Sequence, residues 1–291
     1  MDWDEARIHV LTHALHYGTA VFEGLRCYKT DRGPAIFRLE DHVARLVNSA
    51  KIYLMDLKQS PEEIANAIKS TIKANNFEEC YIRPIAYYGY GEMGVNPLPN
   101  EVNFAIAVWR WGAYLGKNAL TEGVRCMVSS WHRINPLTLP PQAKASANYA
   151  NAALAKIEAV KAGYDEAIML NTLGMVSEGT GENIFRVKRN IVSTPTAAAG
   201  ILRGITRDTV IELAADLGIS CQRTDISREE LYTSDELFLC GTAAEITPVR
   251  EVDGRTIGNG DRRITRIFQT AYDDIVHGRN KSYARWLDYI K

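Results

Sequence analysis

The chain has 291 residues, of which 46% are hydrophobic and 24% charged, with a formal net charge of −1. That length suits two α/β domains or one large one, and the near-neutral balance argues against a nucleic-acid groove or an anionic membrane surface as partner. Five cysteines, at 27, 80, 126, 221 and 240, form no C-x-x-C pair, so neither a zinc site nor a disulfide framework is expected, and a reducing cytoplasm fits. No apolar run approaches a membrane span, and the acidic start Met1-Asp2-Trp3-Asp4-Glu5 does not read as a signal peptide.

In chain order, His9, His13 and His16 have helical spacing, but no carboxylate joins them in a zinc-type pattern and Gly18 ends the turn, so no metal site is expected. Phe22 to Tyr28 alternates as a strand, 29–34 turns, and Ala35 to Arg38 resumes. Glu40 to Leu54 is an amphipathic helix with Val43, Leu46, Val47 and Ala50 on its apolar stripe. Arg45 lies off that stripe and by itself reads as a solvated surface arginine. Ser60-Pro61-Glu62-Glu63 opens a second helix with the elements of a capping box, and Ile64, Ile68 and Ile72 form its buried face. Glu79 to Tyr90 is a strand running into a G-x-G-x-x-G match at Gly89–Gly94. A dinucleotide fingerprint must open a helix, and Val95-Asn96-Pro97-Leu98-Pro99 cannot be one, so the match is a glycine-rich loop. Val102 to Trp109 reads as a buried strand. Residues 112–124 are polar and aperiodic, the best candidate for a link between two domains.

Val124 to Trp131 is the next strand, after which prolines carry the chain to Leu139-Pro140-Pro141-Gln142-Ala143-Lys144-Ala145-Ser146. Lys144 stands among small residues that let a flat object approach the backbone. It is either a solvated lysine at a helix start or, if the niche is dry, an amine pushed toward its neutral, nucleophilic form. The carbonyl partner such an amine suits is an aldehyde cofactor, and pyridoxal phosphate also needs an acid at its ring nitrogen and amide donors at its phosphate. Asn151 to Ala162 is a helix and Ala167 to Leu170 a strand. In Val176-Ser177-Glu178-Gly179-Thr180-Gly181, Glu178 sits on a hairpin where glycines allow close approach. It is either solvated or ligand-facing. Gly204-Ile205-Thr206 opens a helix, either as an anion site or as an ordinary cap. Glu236 to Cys240 runs into Gly241-Thr242-Ala243-Ala244, a second turn of exposed amides. Arg263 to His277 is a closing helix.

Together, Lys144 with Asn148-Tyr149, the run Ser177 to Asn183, Gly204-Ile205-Thr206-Arg207-Asp208 and Gly241 to Pro248 resemble the fold-type IV pyridoxal-phosphate enzymes. The first half, with His13 to Gly18, Phe22-Glu23-Gly24-Leu25-Arg26, Tyr81-Ile82-Arg83-Pro84, Gly94-Val95-Asn96-Pro97 and Trp111-Gly112-Ala113-Tyr114, resembles branched-chain amino acid aminotransferases over essentially the whole chain. The resemblance implies an α/β (α+β) fold of two domains. A smaller N-terminal α/β domain (1–111) is joined by the 112–124 linker to a larger C-terminal domain (125–291) with a β-barrel-like sheet. It implies pyridoxal 5′-phosphate joined to Lys144, with Glu178 at the ring nitrogen and Tyr149 at the phenolic oxygen. Arg45, Gly204, Ile205, Thr206 and Thr242 would stand at the phosphate. Thr242, Ala243 and Tyr81 would receive the substrate carboxylate. Tyr17, Phe22, Met93, Val95, Trp111 and Tyr114 would wall the side-chain pocket, and Arg83 would reach the distal carboxylate of glutamate. In that family the segments matching Tyr17 and Met93–Val95 come from a partner subunit, so a homodimer at minimum, with a hexamer allowed, is implied. Relatives carry a strand ahead of the segment matching Trp3-Asp4-Glu5-Ala6, so the edge of the first sheet is expected to differ here. The implied reaction moves the amino group of L-leucine, L-isoleucine or L-valine to 2-oxoglutarate. The same lysine and acid are shared by D-amino acid aminotransferase, amine transaminase and aminodeoxychorismate lyase; Tyr81-x-Arg83 and Gly94-Val95 favour the branched-chain enzyme.

Overall fold

The computed structural model describes residues 1–112, 115–116 and 118–290. Near the N-terminus, α1 (His13–Tyr17) stops at Gly18, whose φ of 68° is the left-handed geometry that glycine tolerates best. β1 (Ala20–Phe22) and β2 (Leu25–Tyr28) then lie end to end along one side of β4 (Cys80–Tyr88). Their register continues across the gap, with Phe22 opposite Ile85 and Leu25 opposite Ile82. The ladder breaks where Glu23 meets Pro84, because proline has no N–H to give; the Glu23 amide still donates to the Pro84 carbonyl at 2.9 Å. β3 (Ala35–Phe37) pairs with β2, and β5 (Val102–Trp109) takes the far side of β4. The sequence reads β5 as buried. It is an edge strand on which only Val108 is buried.

Two helices cover this sheet, α2 (Leu39–Ile52) and α3 (Pro61–Ala74). Their stripes, Val43, Leu46 and Ala50 with Ile64, Ile68 and Ile72, pack on Val21, Leu25, Ile36 and Ile82. Ser60 and Glu63 form the expected reciprocal capping box, worth about 1 kcal/mol.

Among the described residues the second sheet has nine strands: β6 (Val124–Val128), β7 (Glu166–Leu170), β8 (Val176–Gly179), β9 (Asn183–Lys188), β10 (Ile191–Thr194), β11 (Cys221–Arg223), β12 (Glu236–Gly241), β13 (Glu245–Val252) and β14 (Arg255–Thr256). Its order is β11-β10-β9-β12-β13-β6-β7-β8, with β14 on β13. β8 and β9 are consecutive in the chain but are not a hairpin: β8 pairs with β7, and β9 lies between β10 and β12. The sheet curls until the two meet again through one bond, Gly179 N–H to Glu182 O at 2.7 Å. Glu178 stands at that seam, which is why it is buried (6% exposed) where a plain hairpin would leave it in water.

Helices α4 (Ala119–Glu122), α5 (Ser146–Lys161), α6 (Ile205–Asp216), α7 (Arg228–Tyr232) and α8 (Arg263–Val276) serve this sheet. α5 begins immediately after Lys144-Ala145, earlier than its apolar pattern suggests, and packs small residues, Ala155 and Ala159, on Ala167 and Met169. α6 and α8 pack on Phe185 and Phe238, and that core continues into Tyr28 and Phe37 of the first sheet. β15 (Leu287–Tyr289) returns from the chain's far end to pair with β3. The first sheet therefore draws on both ends of the described chain. Among the described residues no helix is long and apolar enough to cross a membrane.

Candidate active site

Lys144 sits where the two sheets face each other, and its main chain is held from the first sheet and from α2, a helix that covers that sheet. Phe22 N–H donates to Lys144 O at 3.0 Å, and Lys144 N–H donates to Ser49 Oγ of α2 at 3.0 Å. Asn148 braces the turn from below, donating to Pro140 O and Ala143 O. The side chain is half-buried. Its Nζ lies 2.6 Å from Tyr149 Oη and 5.2 Å from the ring centroids of both Phe22 and Tyr149. Those two rings pack on one another at 4.9 Å.

Glu178 lines the same cavity as Lys144. Arg133 Nε stands 2.8 Å from Glu178 Oε1, Asn183 Nδ2 donates to Oε2 at 2.9 Å, and Leu202 N–H is 3.2 and 3.1 Å from the two oxygens. Burial pushes this carboxyl above its ordinary value, while Arg133, the Leu202 amide and Lys144 pull the other way. A carboxylate has acceptor capacity beyond the Asn183 and Leu202 donors and the Arg133 ion pair, so it can take a further N–H from a ligand in the cavity.

The third wall is made of donors. α6 starts at Ile205 with Gly204 as its N-cap and no side chain capping it, so its first amides open onto the cavity beside Thr206. Gly204 is required there: a Cβ would stand 2.0 Å from Asn183 Oδ1. Thr242 and Ala243 line the cavity from the turn after β12, and Arg45 from α2. Uncapped amides, a guanidinium and two hydroxyls suit a phosphate. With an amine and a buried acid on the other walls, the residues present fit pyridoxal phosphate.

The cavity thus gathers Arg45, Tyr81, Lys144, Tyr149, Glu178, Gly204, Ile205, Thr206, Thr242 and Ala243. Arg45 corrects its own sequence reading, since its side chain is only 15% exposed. Phe22, Arg83 and Trp111 stand one layer out. Arg83 Cζ lies 4.6 Å over the Phe22 ring, and Trp111 stacks on Tyr81 at 4.5 Å. The Arg83 Nε is buried with no hydrogen-bond partner among the described residues. Tyr17, Met93 and Val95 cluster elsewhere: Tyr17 Oη donates to Met93 O at 3.1 Å, and Val95 is 79% exposed. They do not reach the cavity of their own chain. Tyr114 lies outside the described residues. His13 and His16 bond Gly94 O and Val10 O, and no group of three or more metal-ligating side chains gathers among the described residues.

Among the cavity residues given no site role from the sequence are the three that surround Glu178: Arg133, Asn183 and Leu202. Asn183 lies inside the Ser177–Asn183 run, whereas nothing local ties Arg133 or the Leu202 amide to a strand so far along the chain.

The family "Amino-transferase class IV" matches residues 20–252, a span that includes every cavity residue. The chain belongs to this family. Among relatives, the branched-chain-amino-acid aminotransferase of Salmonella typhimurium is 47% identical over 290 residues, covering 99% of this chain and 94% of that one. The crystal structure of the Escherichia coli branched-chain amino acid aminotransferase superposes with a TM-score of 0.98 at 46% identity, covering 100% of this chain and 96% of that one. The branched-chain amino acid aminotransferase of Thermobaculum terrenum, solved in its PLP-bound holo-form, gives a TM-score of 0.93 at 38% identity, covering 100% of this chain and 95% of that one. The fold of this class IV aminotransferase is accordingly fold-type IV, as the sequence motifs imply.

Proposed function

We propose that this class IV aminotransferase binds pyridoxal 5′-phosphate in the Lys144 cavity and moves the amino group of L-leucine, L-isoleucine or L-valine to 2-oxoglutarate. The carrying observation is that Lys144 Nζ and the Glu178 carboxylate line one cavity, in a chain nearly half identical to relatives bearing that name. Bound there, the cofactor supplies an aldehyde for an amine and a ring that takes up the electron pair released at the substrate's Cα.

The chain's own groups do the rest. Lys144 would hold the cofactor through its Nζ, and the same amine would carry a proton at the substrate's Cα. Tyr149 Oη, in contact with Nζ, steers that amine. Glu178 keeps a proton on the ring nitrogen. Arg45, the Gly204–Thr206 amides and Thr242 hold the phosphate. Tyr81 and the Thr242–Ala243 turn face the substrate carboxylate. Phe22 and Trp111 give the pocket an apolar wall, and Arg83 behind Phe22 supplies a cation for glutamate's second carboxylate. Tyr17, Met93, Val95 and Tyr114 complete that wall in this reading, the first three from the partner of a homodimer. The exposure of Tyr17, Val95 and Leu98 supports this. Two domains, 1–111 and 125–291, joined by 112–124, are supported by the presence of two sheets, with β15 crossing back from the second span to the first sheet and Val124 already in β6. Five unpaired cysteines accord with a cytoplasmic enzyme.

The test is an assay of L-leucine against D-alanine with 2-oxoglutarate. L-leucine turnover with ping-pong kinetics is expected; turnover of D-alanine alone would replace this reading with the D-amino acid aminotransferase one.

A further inference from the structure

Glu23 takes no part in the reading above, yet it is fully buried beside the cavity. It sits at the break between β1 and β2, opposite Pro84, and shares the face of Val21 that α2 covers. Arg45 Nε donates to Glu23 Oε1 at 2.6 Å, and Arg45 Nη2 donates to Oε2 at 2.9 Å. Arg45 Nη1 donates to Arg203 O at 3.0 Å, in the segment leading to Gly204. On its other side Glu23 Oε2 meets His42 Nδ1 at 2.7 Å and the Gly24 amide at 3.2 Å. Burial alone would push this carboxyl up; Arg45 and His42 more than offset it and hold it well below the usual carboxylate range.

A guanidinium has five N–H donors in a rigid fork. Glu23 and Arg203 O engage three of Arg45's, and the remaining two belong to Nη1 and Nη2 of a side chain that lines the cavity. We infer that Glu23, backed by His42, is a positioning residue for the cofactor's phosphate: it fixes the Arg45 fork so that its two free N–H groups face the phosphate oxygens. A buried ion pair is a poor stabiliser, since apolar residues of like volume often serve a fold as well or better. Here the pair lies against an otherwise apolar core of Val21, Val43 and Leu46, and what it secures is the aim of an arginine on the cavity wall. α2 joins this anchor to the catalytic lysine. Ser49, one turn beyond Arg45, donates to Arg45 O at 2.8 Å and accepts from Lys144 N–H, so phosphate anchor and lysine share one helix face of His42, Arg45 and Ser49.

The inference rests on the proposed cofactor. Its test is the affinity of apoprotein for pyridoxal 5′-phosphate and for pyridoxal, followed by visible absorbance. In Glu23→Gln the amide NH2 would face Arg45's own donors and release the fork. Kd for pyridoxal 5′-phosphate should rise about tenfold or more, with Kd for pyridoxal unchanged. In an Arg45→Ala background, where no buried cation is left unpaired, adding Glu23→Gln should change neither Kd. Unaltered or tighter pyridoxal 5′-phosphate binding by Glu23→Gln, an equal loss of both ligands, or a full further loss in the Arg45→Ala background would overturn it. Failure of the wild-type protein to bind pyridoxal 5′-phosphate would instead remove the cofactor reading itself.

Discussion

Arg133 Nε lies 2.8 Å from Glu178 Oε1, and both side chains are almost wholly buried. The pair works against the burial that pushes Glu178 up, and in the proposed reading it favours the ionised form of the acid that would face the ring nitrogen. Arg133→Met removes that offset. The carboxyl then protonates at higher pH, and the acid limb of the activity profile should move upward, with turnover at neutral pH falling about tenfold or more. An unshifted acid limb would show that Arg133 serves only packing.

Tyr149 and Lys144 make a shorter contact still, Oη to Nζ at 2.6 Å. Tyr149→Phe keeps the ring on Phe22 but takes away the hydroxyl. We expect kcat to fall on the order of 10–100-fold with KM for leucine little changed. A rise in KM with constant kcat would place Tyr149 in ground-state binding instead.

Much of this site is legible in the chain because its parts are local. Lys144 with its small neighbours, Gly204-Ile205-Thr206 before an amphipathic run, and the amide-rich turn at Thr242 are each set by a few adjacent residues. What the chain hides is what long-range pairing creates. Glu178 reads as half of a hairpin, because nothing local says that β8 pairs backward with β7 while β9 joins strands from further on. Arg45 reads as surface because helical periodicity marks which residues face an apolar core, and Arg45 faces another charge. Arg133 lies in a proline-flanked loop with no pattern of its own, and β15 is too short to be seen before its partner is known.

Gly204 offers a steric test. With Asn183 Oδ1 only 2.0 Å from where a Cβ would stand, Gly204→Ala must displace the amide that bonds Glu178 and Leu202 O. The variant should lose roughly 1–3 kcal/mol of stability and release cofactor faster on dialysis. A variant with wild-type Tm and retention would mean that the turn relaxes freely.

Glu182 provides a pH dependence. Burial, reinforced by the neighbouring Glu166 charge, raises its carboxyl to about 8 in the folded chain. The native state therefore holds a proton that the unfolded chain gives up near its ordinary value. Stability of the apoprotein should fall as pH rises from about 5 to about 8, by up to about 1.4 kcal/mol per pH unit from this group, and level off above. Glu182→Gln should flatten that slope in urea titrations; an unchanged slope would assign it to other groups.

In the proposed reading Arg83 should separate the two half-reactions. Its guanidinium lies behind Phe22, with Nε unpartnered among the described residues. Arg83→Ala should cripple the 2-oxoglutarate half-reaction far more than the leucine half, and equal losses in single-turnover assays would count against that role.

The central claim is that one amine, Lys144 Nζ, carries the cofactor. Reduction of the loaded protein with borohydride makes the lysine–cofactor bond permanent, and peptide mapping by mass spectrometry then locates it. The expected result is a phosphopyridoxyl mass on the peptide containing Lys144 and on no other. The mass on a different lysine, or its persistence in Lys144→Ala, would contradict the account.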